Sequence, residues 1–517
     1  MTNGRTFFSI LAGVSFSVSL AGLAATDEAG LAQRIHNFEN GLRPALHQRG
    51  TAPLRWNLAE RMVHHGVPGV SLAIIERGEI VYAGGYGVAR AGTDSAVDRD
   101  TVFSVGSVSK VGAALTAHAL VRDGVLDLDT DINRYLKRWK LEPNATAAGR
   151  VVTLRGLMSH TAGLNVHGFD DFLPDEALPG VVDILSGRGA AKSRPVGFIH
   201  EPGSVSDYSG GGTTVTGLAI ADVTGMDFQE AARKHLFEPL AMRRSTYEQP
   251  LPASHGNIAH AHDDKGMPNA EPRGWHSFPE TAASGLWTTP SDTAAMLITL
   301  RDSYFGKPGS FLSRAHAQDV LTEVGPGRVG LGPFLRGSGT TRRFGHEGSN
   351  ESYKALAQLY LDSGKGAVIF TNGARGADLY REMLRSIADA FDWPESEVTL
   401  VDPGVVQPAL LDTFQGDYAV EPVDPRDKRT TFGEMQVFSI VSHDEGIAMA
   451  LTVPLDGGGF KDVEYPLHAI ARNEFVDAEG QRRFEFVLGT YGNLEGVILR
   501  HEGYAAFYRP QGERDRD

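Results

Sequence analysis

Residues 70–75 and 79–88 are rich in β-branched and aromatic side chains and are separated by Glu76-Arg77-Gly78, which predicts a hairpin. Residues 107–121 are apolar nearly all round, with Val108, Val111, Ala114, Leu115, Ala119 and Val121 spread over every helical direction. A helix apolar on all sides is a buried one, and Gly124 stops it. Gly210-Gly211-Gly212 leads into a further helix over residues 213–223. Asp227 and Glu230 have capping-box spacing ahead of a helix predicted over 231–240. Residues 353–361 alternate weakly, and 367–371 form a short apolar run before Asn372-Gly373, which predicts a second strand group with a turn. Residues 379–391 read as a closing helix. Strands at both ends with helices between predict an α/β unit whose sheet is completed by its C-terminal part.

The texture changes after Trp393. Pro394, Pro403 and Pro408 punctuate a poorly periodic stretch, read as a linker over residues 394–410. From residue 411 to 517, short β-rich runs lie near Tyr418 and over 437–441, 448–453, 484–488, 496–499 and 504–508. They predict a small antiparallel domain closed into a barrel. The chain shows no internal repeat and no low-complexity tract.

Length and composition fit this division. A chain of 517 residues suggests about two or three domains. Its 41% hydrophobic content supplies sizeable cores. The net charge of −15 argues against a nucleic-acid partner, which needs a basic face. Cysteine is absent, so disulfides, thiolate metal sites and a cysteine nucleophile are excluded. Arg5 precedes an uncharged run to Thr26, with small residues at Gly22, Ala24 and Ala25. This pattern predicts a signal peptide over residues 1–25 and a mature, exported protein from residue 26, periplasmic or secreted, with no later membrane span.

Three segments carry chemistry. Lys110 is the one lysine of the chain with a serine three residues before it, Ser107. Alone such a pair arises about once by chance in a chain this long. Here it opens the buried helix, where free N–H groups and the helix dipole favour an oxyanion. At i and i+3 the two side chains share a face, and a buried lysine can lose its proton and serve as the base for the serine. Tyr208, on a turn before the glycine run, is a candidate general base or proton shuttle. His346, in Phe344-Gly345-His346-Glu347-Gly348-Ser349, lies where glycines allow a ligand close to the backbone.

In order and spacing these segments resemble the penicillin-recognising serine hydrolases, whose pattern is S-x-x-K, a central polar triplet and K-T-G. The resemblance is greatest to the class C β-lactamase-related group with its D-aminopeptidases and esterases. Ser159-His160-Thr161-Ala162-Gly163-Leu164 and Ser284-Gly285-Leu286-Trp287 are similar to further segments of that group. The likeness spans residues 55–393. The C-terminal segment with Phe414-Gln415-Gly416-Asp417-Tyr418 is similar to a lipocalin-like domain appended to some members.

The resemblance implies a β-lactamase/DD-peptidase-like α/β fold, an antiparallel sheet flanked by helices with an all-helical part, over residues 26–393. It implies an acyl-Ser107 intermediate, with Lys110 and Tyr208 as general base and acid. It implies an oxyanion hole from the N–H groups of Ser107 and Ser349, and a pocket lined by His346 and Gly348. The substrate is a small ester, amide or short peptide, and neither a metal nor an organic cofactor is implied. Two departures stand out. Gly210 replaces the asparagine of the triplet, and His346 replaces the lysine of K-T-G. Both point toward esters and away from β-lactams, and an asparagine at position 210 is expected to favour β-lactam acylation. D-amino-acid peptidase and β-lactamase activity are the alternatives within this chemistry, and a non-catalytic binding or scaffold protein is the alternative outside it.

Some patterns are rejected. Residues 325–330 match G-x-G-x-x-G but lack a βαβ setting and contain Pro326. His260-Ala261-His262-Asp263 reads as a hydrated turn rather than a metal site. Asn144-Ala145-Thr146 and Asn350-Glu351-Ser352 are sequons without weight of their own.

Overall fold

The computed structural model describes residues 20–325, 329–394, 398–421, 437–444, 446–454, 460–501 and 504–511. The elements that position the candidate site are β1 (Gly69–Glu76), β2 (Glu79–Gly87), α1 (Ser109–Arg122), α2 (Gly210–Thr224), α3 (Pro290–Phe305), β3 (Phe334–Arg336), β4 (Arg343–Asn350), β5 (Tyr353–Tyr360), β6 (Gly366–Thr371) and α4 (Gly376–Ala390). The strands form one sheet in the order β2-β1-β6-β5-β4-β3, and every neighbouring pair is antiparallel.

The first hairpin forms as expected. Arg77 and Gly78 both take positive φ, the two-residue loop that matches the twist of paired strands. Both faces of β1 are buried. Val70, Leu72 and Ile74 pack with Leu379, Met383 and Ile387 of α4. Ala73 and Ile75 point the other way, into the core shared with α1, α2 and α3. Burying each large aliphatic side chain contributes roughly 1.5–3 kcal/mol, so this central strand fixes the sheet between its two helical layers.

Other expectations shift. The glycine run belongs to α2 itself, which starts at Gly210 with Ser209 as its cap. The helix expected over 231–240 spans Phe228–Ala232 and then one π-turn, Arg233–Phe237. Asp227 makes no side-chain cap, and Pro239, lacking an N–H, stops the helix early. Asn372-Gly373 ends its strand as expected, but the turn leads to α4 and not into a hairpin. It follows β6, and the Asn372 side chain accepts from Gly69 N at 2.7 Å and donates to Ala89 O at 3.1 Å.

The C-terminal region is a closed barrel of eight antiparallel strands: β7 (Gly416–Glu421), β8 (Val437–His443), β9 (Gly446–Pro454), β10 (Phe460–Ala471), β11 (Glu474–Asp477), β12 (Arg482–Leu488), β13 (Leu494–His501) and β14 (Tyr504–Pro510), with β14 pairing back to β7. Tyr418, Phe438, Phe475, Phe484, Phe486 and Tyr508 fill its interior. Within the stretch read as a linker, Thr399–Val401 pairs in parallel with Leu46–Gln48, and the helix Pro408–Phe414 sends Phe414 into the barrel core, stacked 4.1 Å from Phe486. Asp402 N donates to Ala469 O at 2.8 Å, and Arg385 pairs with Glu479 at 3.2 Å.

Among the described residues the barrel supplies no wall of the candidate catalytic cavity, whose lining lies between Ser107 and Arg381. A chain ended after Val401 keeps the sheet and its pairing with Leu46–Gln48. It is expected to remain soluble, to melt cooperatively and to retain kcat/KM within a few-fold of the full chain, read by calorimetry and ester turnover. A truncated chain that aggregates throughout would show that the two regions share one core.

Candidate active site

Ser107 sits on a tight turn. Gly106 takes φ +50°, and Gly106–Val108 form one turn of 3-10 helix that runs straight into α1. The expected single helix from Ser107 therefore begins with a tighter turn. Ser109 pins it: its Oγ donates to Gly106 O at 2.5 Å and accepts from Leu286 N at 3.0 Å, while its carbonyl accepts from Tyr247 OH at 2.5 Å. Lys110 follows with only 4% of its surface exposed. Its Nζ stands 3.0 Å from Ser107 Oγ and donates to Ala283 O at 2.9 Å.

Tyr208 precedes the N-terminus of α2. Lys110 Nζ lies 4.9 Å from the centroid of its ring. The ring packs against His160, His167, Phe334 and His346. The hydroxyl is buried and hydrogen-bonds to neither Ser107 nor Lys110. His160, at φ +59°, accepts from Ser209 N at 3.2 Å through Nδ1, so it joins the tyrosine to the cap of α2.

The edge of β4 closes the site. A Cβ at Gly348 would lie 1.9 Å from Val105 O, and one at Gly106 would lie 2.7 Å from Ser349 N. Two backbones therefore touch here, and the turn of Ser107 lies directly against Gly348 and Ser349. Asn350 braces the contact, its Nδ2 donating to Ser104 Oγ at 2.6 Å and Ser284 O at 3.2 Å. Lys354 Nζ donates to Ser349 Oγ at 2.8 Å and to Asn350 O at 3.0 Å.

His346 is buried on β4. Burial, then the Lys110 charge, hold its imidazolium pKa down at about 3, so the ring is neutral across the physiological range. Nδ1–H donates to Glu347 O, which leaves the lone pair on the buried Nε2 without a partner. The ring thus offers the pocket an acceptor and no charge.

Ser107, Lys110, Tyr208, His346, Gly348 and Ser349 all line one cavity of about 840 Å³. Gly210 lies on its wall, but a Cβ there would stand 2.8 Å from His167 O. An asparagine at 210 needs a backbone shift, so the simple replacement expected from sequence has no room. The cavity also contains residues that the sequence reading missed. Glu280 is 2% exposed, and burial pushes its carboxyl up to about 8. Asp171 receives Nδ1–H of His276. No spacing rule links either acid to the serine.

A match to the beta-lactamase family model extends over residues 54–391. The chain belongs to the beta-lactamase family, whose members here are serine hydrolases. Penicillin-binding protein 4 of Amycolatopsis lactamdurans is 28% identical over 348 residues, 64% of this chain and 88% of that protein. Protein flp of Staphylococcus aureus strain MW2 is 24% identical over 236 residues, and there the chain spans 44% of the relative's length. Among solved structures, the octameric penicillin-binding protein homologue of Pyrococcus abyssi shares the fold at TM-score 0.56 and 19% identity, over 87% of this chain and 98% of that one. EstCE1, a hydrolase with promiscuous acyltransferase activity, shares it at TM-score 0.52 and 21% identity, over 71% and 99%.

The rejected patterns of this beta-lactamase-family chain have structural explanations where they are described. His262 is buried and does not sit in the hydrated turn expected: its Nδ1 lies against Asn372 O at 2.9 Å and its Nε2 accepts from Ala91 N at 3.0 Å. Both ring nitrogens are therefore engaged. Residues 326–328 of the glycine pattern lie outside the described residues. Asn350 of the second sequon is a buried brace of the site.

The backbone contact gives a direct test. Gly348→Ala forces a methyl group onto Val105 O, a backbone atom that cannot move alone. The variant is expected to lose about 1–3 kcal/mol of stability. Its acylation rate is expected to fall about 10²-fold, the scale of a lost oxyanion donor. Melting curves and the rate of covalent labelling read the two effects. Wild-type labelling in Gly348→Ala would show that this close approach does not serve the reaction.

Proposed function

We propose that the protein is an exported serine hydrolase that cleaves ester or amide bonds through an acyl-Ser107 intermediate. The observation that carries this reading is Lys110 Nζ at 3.0 Å from Ser107 Oγ in the wall of a cavity large enough for a small substrate. In its free-amine form Nζ accepts the Oγ–H proton as Oγ attacks the carbonyl. The backbone N–H groups of Ser107 and Ser349 receive the oxyanion. Lys110 returns the proton to the leaving group, with the Tyr208 hydroxyl as the second proton carrier. Water then attacks the acyl-Ser and restores Ser107.

Esters are the preferred substrates in this reading. His346, neutral and with its Nδ1–H already donated, gives a substrate carboxylate no charge to bind. Gly210 gives the substrate amide no side-chain donor. Penicillins and cephalosporins carry such a carboxylate, and simple esters do not.

The test compares short-chain p-nitrophenyl esters with a chromogenic cephalosporin. Turnover is expected on the esters, with kcat/KM above that for the cephalosporin. Lys110→Arg is expected to lower kcat by about three orders of magnitude or more, because arginine stays protonated and nucleophile and base act as a unit. Normal turnover in Lys110→Arg would exclude the free-amine mechanism. Faster cleavage of the cephalosporin than of every ester would overturn the ester preference.

Export rests on the sequence pattern of the first 25 residues, of which 1–19 lie outside the described residues. The helix Leu20–Glu39 runs through the expected cleavage region, and no helix among the described residues is long and apolar enough to cross a membrane. Mass spectrometry of protein from its native host is expected to place the mature N-terminus between Ala25 and Asp27. A start at Met1 or Thr2 would contradict export by this route.

A further inference from the structure

We propose that Glu280 binds a protonated amine on the substrate, so that the enzyme prefers amine-bearing esters or amides to neutral ones. This inference rests on the reading of Ser107 as the nucleophile. Glu280 immediately precedes the short helix Thr281–Ser284, whose Ala283 carbonyl holds Lys110. Its side chain is almost fully buried yet lines the catalytic cavity, and its Oε2 has no hydrogen-bond partner. A buried polar atom without a partner calls for an explanation, and a ligand that completes it in the cavity provides one. Lys110, whose charge reaches this carboxyl, gives its hydrogen bonds to Ser107 Oγ and Ala283 O instead.

The surroundings select a cation. Phe172 and Ser277 form an antiparallel bridge, each N–H donating to the other's carbonyl at 2.9 Å. That bridge ties the loop of Asp171 to the loop of His276 and Glu280. Asp171 lines the same cavity, as does Asp170. Burial acts to raise the Asp171 pKa, but the hydrogen bond from His276 more than offsets it, so the carboxyl stays ionised. Burial dominates at Glu280, with its own backbone N–H, then Lys110 and Ser284, pulling the other way, so it is mainly a neutral acid at neutral pH. An arriving ammonium displaces the Glu280 proton to solvent and gains a charge-assisted hydrogen bond, among the strong polar contacts available to a protein. Of the cations that line the cavity, Lys110 is held by Ser107 Oγ and Ala283 O, and Arg336, Lys354 and Arg381 come from β3, β5 and α4.

Alanine methyl ester and methyl propionate differ only by the amine, and pH-stat titration follows the hydrolysis of both. The wild-type kcat/KM is expected to be at least about tenfold higher for the alanine ester, the scale of a charge-assisted contact. Glu280→Gln has the same shape and is uncharged like the free acid, so the fold is expected to persist. It is expected to raise KM for the alanine ester about tenfold, with kcat and both constants for methyl propionate within about twofold of wild type. Equal wild-type kcat/KM on the two esters would overturn the proposal, and so would a Glu280→Gln variant that changes both esters alike. Because the α-ammonium group itself activates the ester carbonyl, the wild-type ratio is divided by the ratio of the two esters' uncatalysed alkaline hydrolysis rates, and a corrected ratio of one overturns the proposal even if the variant does not fold. Cleavage of methyl propionate without preference for the amine removes this inference alone. Cleavage of neither ester removes the hydrolase reading and this inference with it.

Discussion

Two backbone segments about 240 positions apart meet with no side chain between them. The turn at Val105–Ser107 and the edge of β4 at Gly348–Ser349 approach so closely that a single methyl group at Gly106 or Gly348 would collide with main-chain atoms. Much of the site's architecture serves that approach. The sheet fixes β4 through β5, in the register His346 to Ala357 and Gly348 to Ala355. Asn350 and Ser109 lock the two sides to the 284–286 segment. With the turn fixed, the first turn of α1 places Lys110 beside Ser107 at hydrogen-bond distance. The energy of this arrangement lies in the apolar cores on both faces of β1, whose burial holds polar groups in a geometry they would not adopt in water.

Electrostatics divide the cavity by protonation state. Burial keeps His346 neutral by favouring the uncharged base, and keeps Glu280 mainly neutral by favouring the uncharged acid. The same desolvation thus lowers one pKa and raises the other. Both leave a buried atom without a partner facing a substrate-sized space: a nitrogen lone pair at His346 and a carboxyl oxygen at Glu280. Lys110 differs, because its Nζ is already bonded to Ser107 Oγ and Ala283 O.

The parts of the fold legible in the sequence are those whose periodicity is strong. The β1–β2 hairpin, the buried α1 and the closing α4 follow from residue pattern alone. The strand β4 was invisible as a strand, because Gly345-His346-Glu347-Gly348-Ser349 has neither alternation nor β-branched residues; neighbouring strands and close packing impose its conformation. In the barrel, β10 is illegible because Lys461, Asp462, Glu464 and Pro466 break the apolar run, and β11 because it is only Glu474–Asp477, with an acid at each end. In the site, Ser107 and Lys110 were legible because a helix sets their spacing. Glu280 and Asp171 were not, because a long-range bridge between two loops brings them to the cavity. Tyr208 was legible through its place before the glycine run; its ring stands 4.9 Å from Lys110 Nζ, and its buried hydroxyl has no hydrogen-bond partner.

The central claim is that the backbone contact and the lysine together activate one serine. Treatment of the folded full-length protein with a fluorophosphonate, followed by intact-mass measurement and peptide mapping, tests it most directly. The account predicts one adduct per chain, on Ser107, forming far more slowly in Lys110→Arg. An adduct on any other serine, or none on a correctly folded chain, would contradict it.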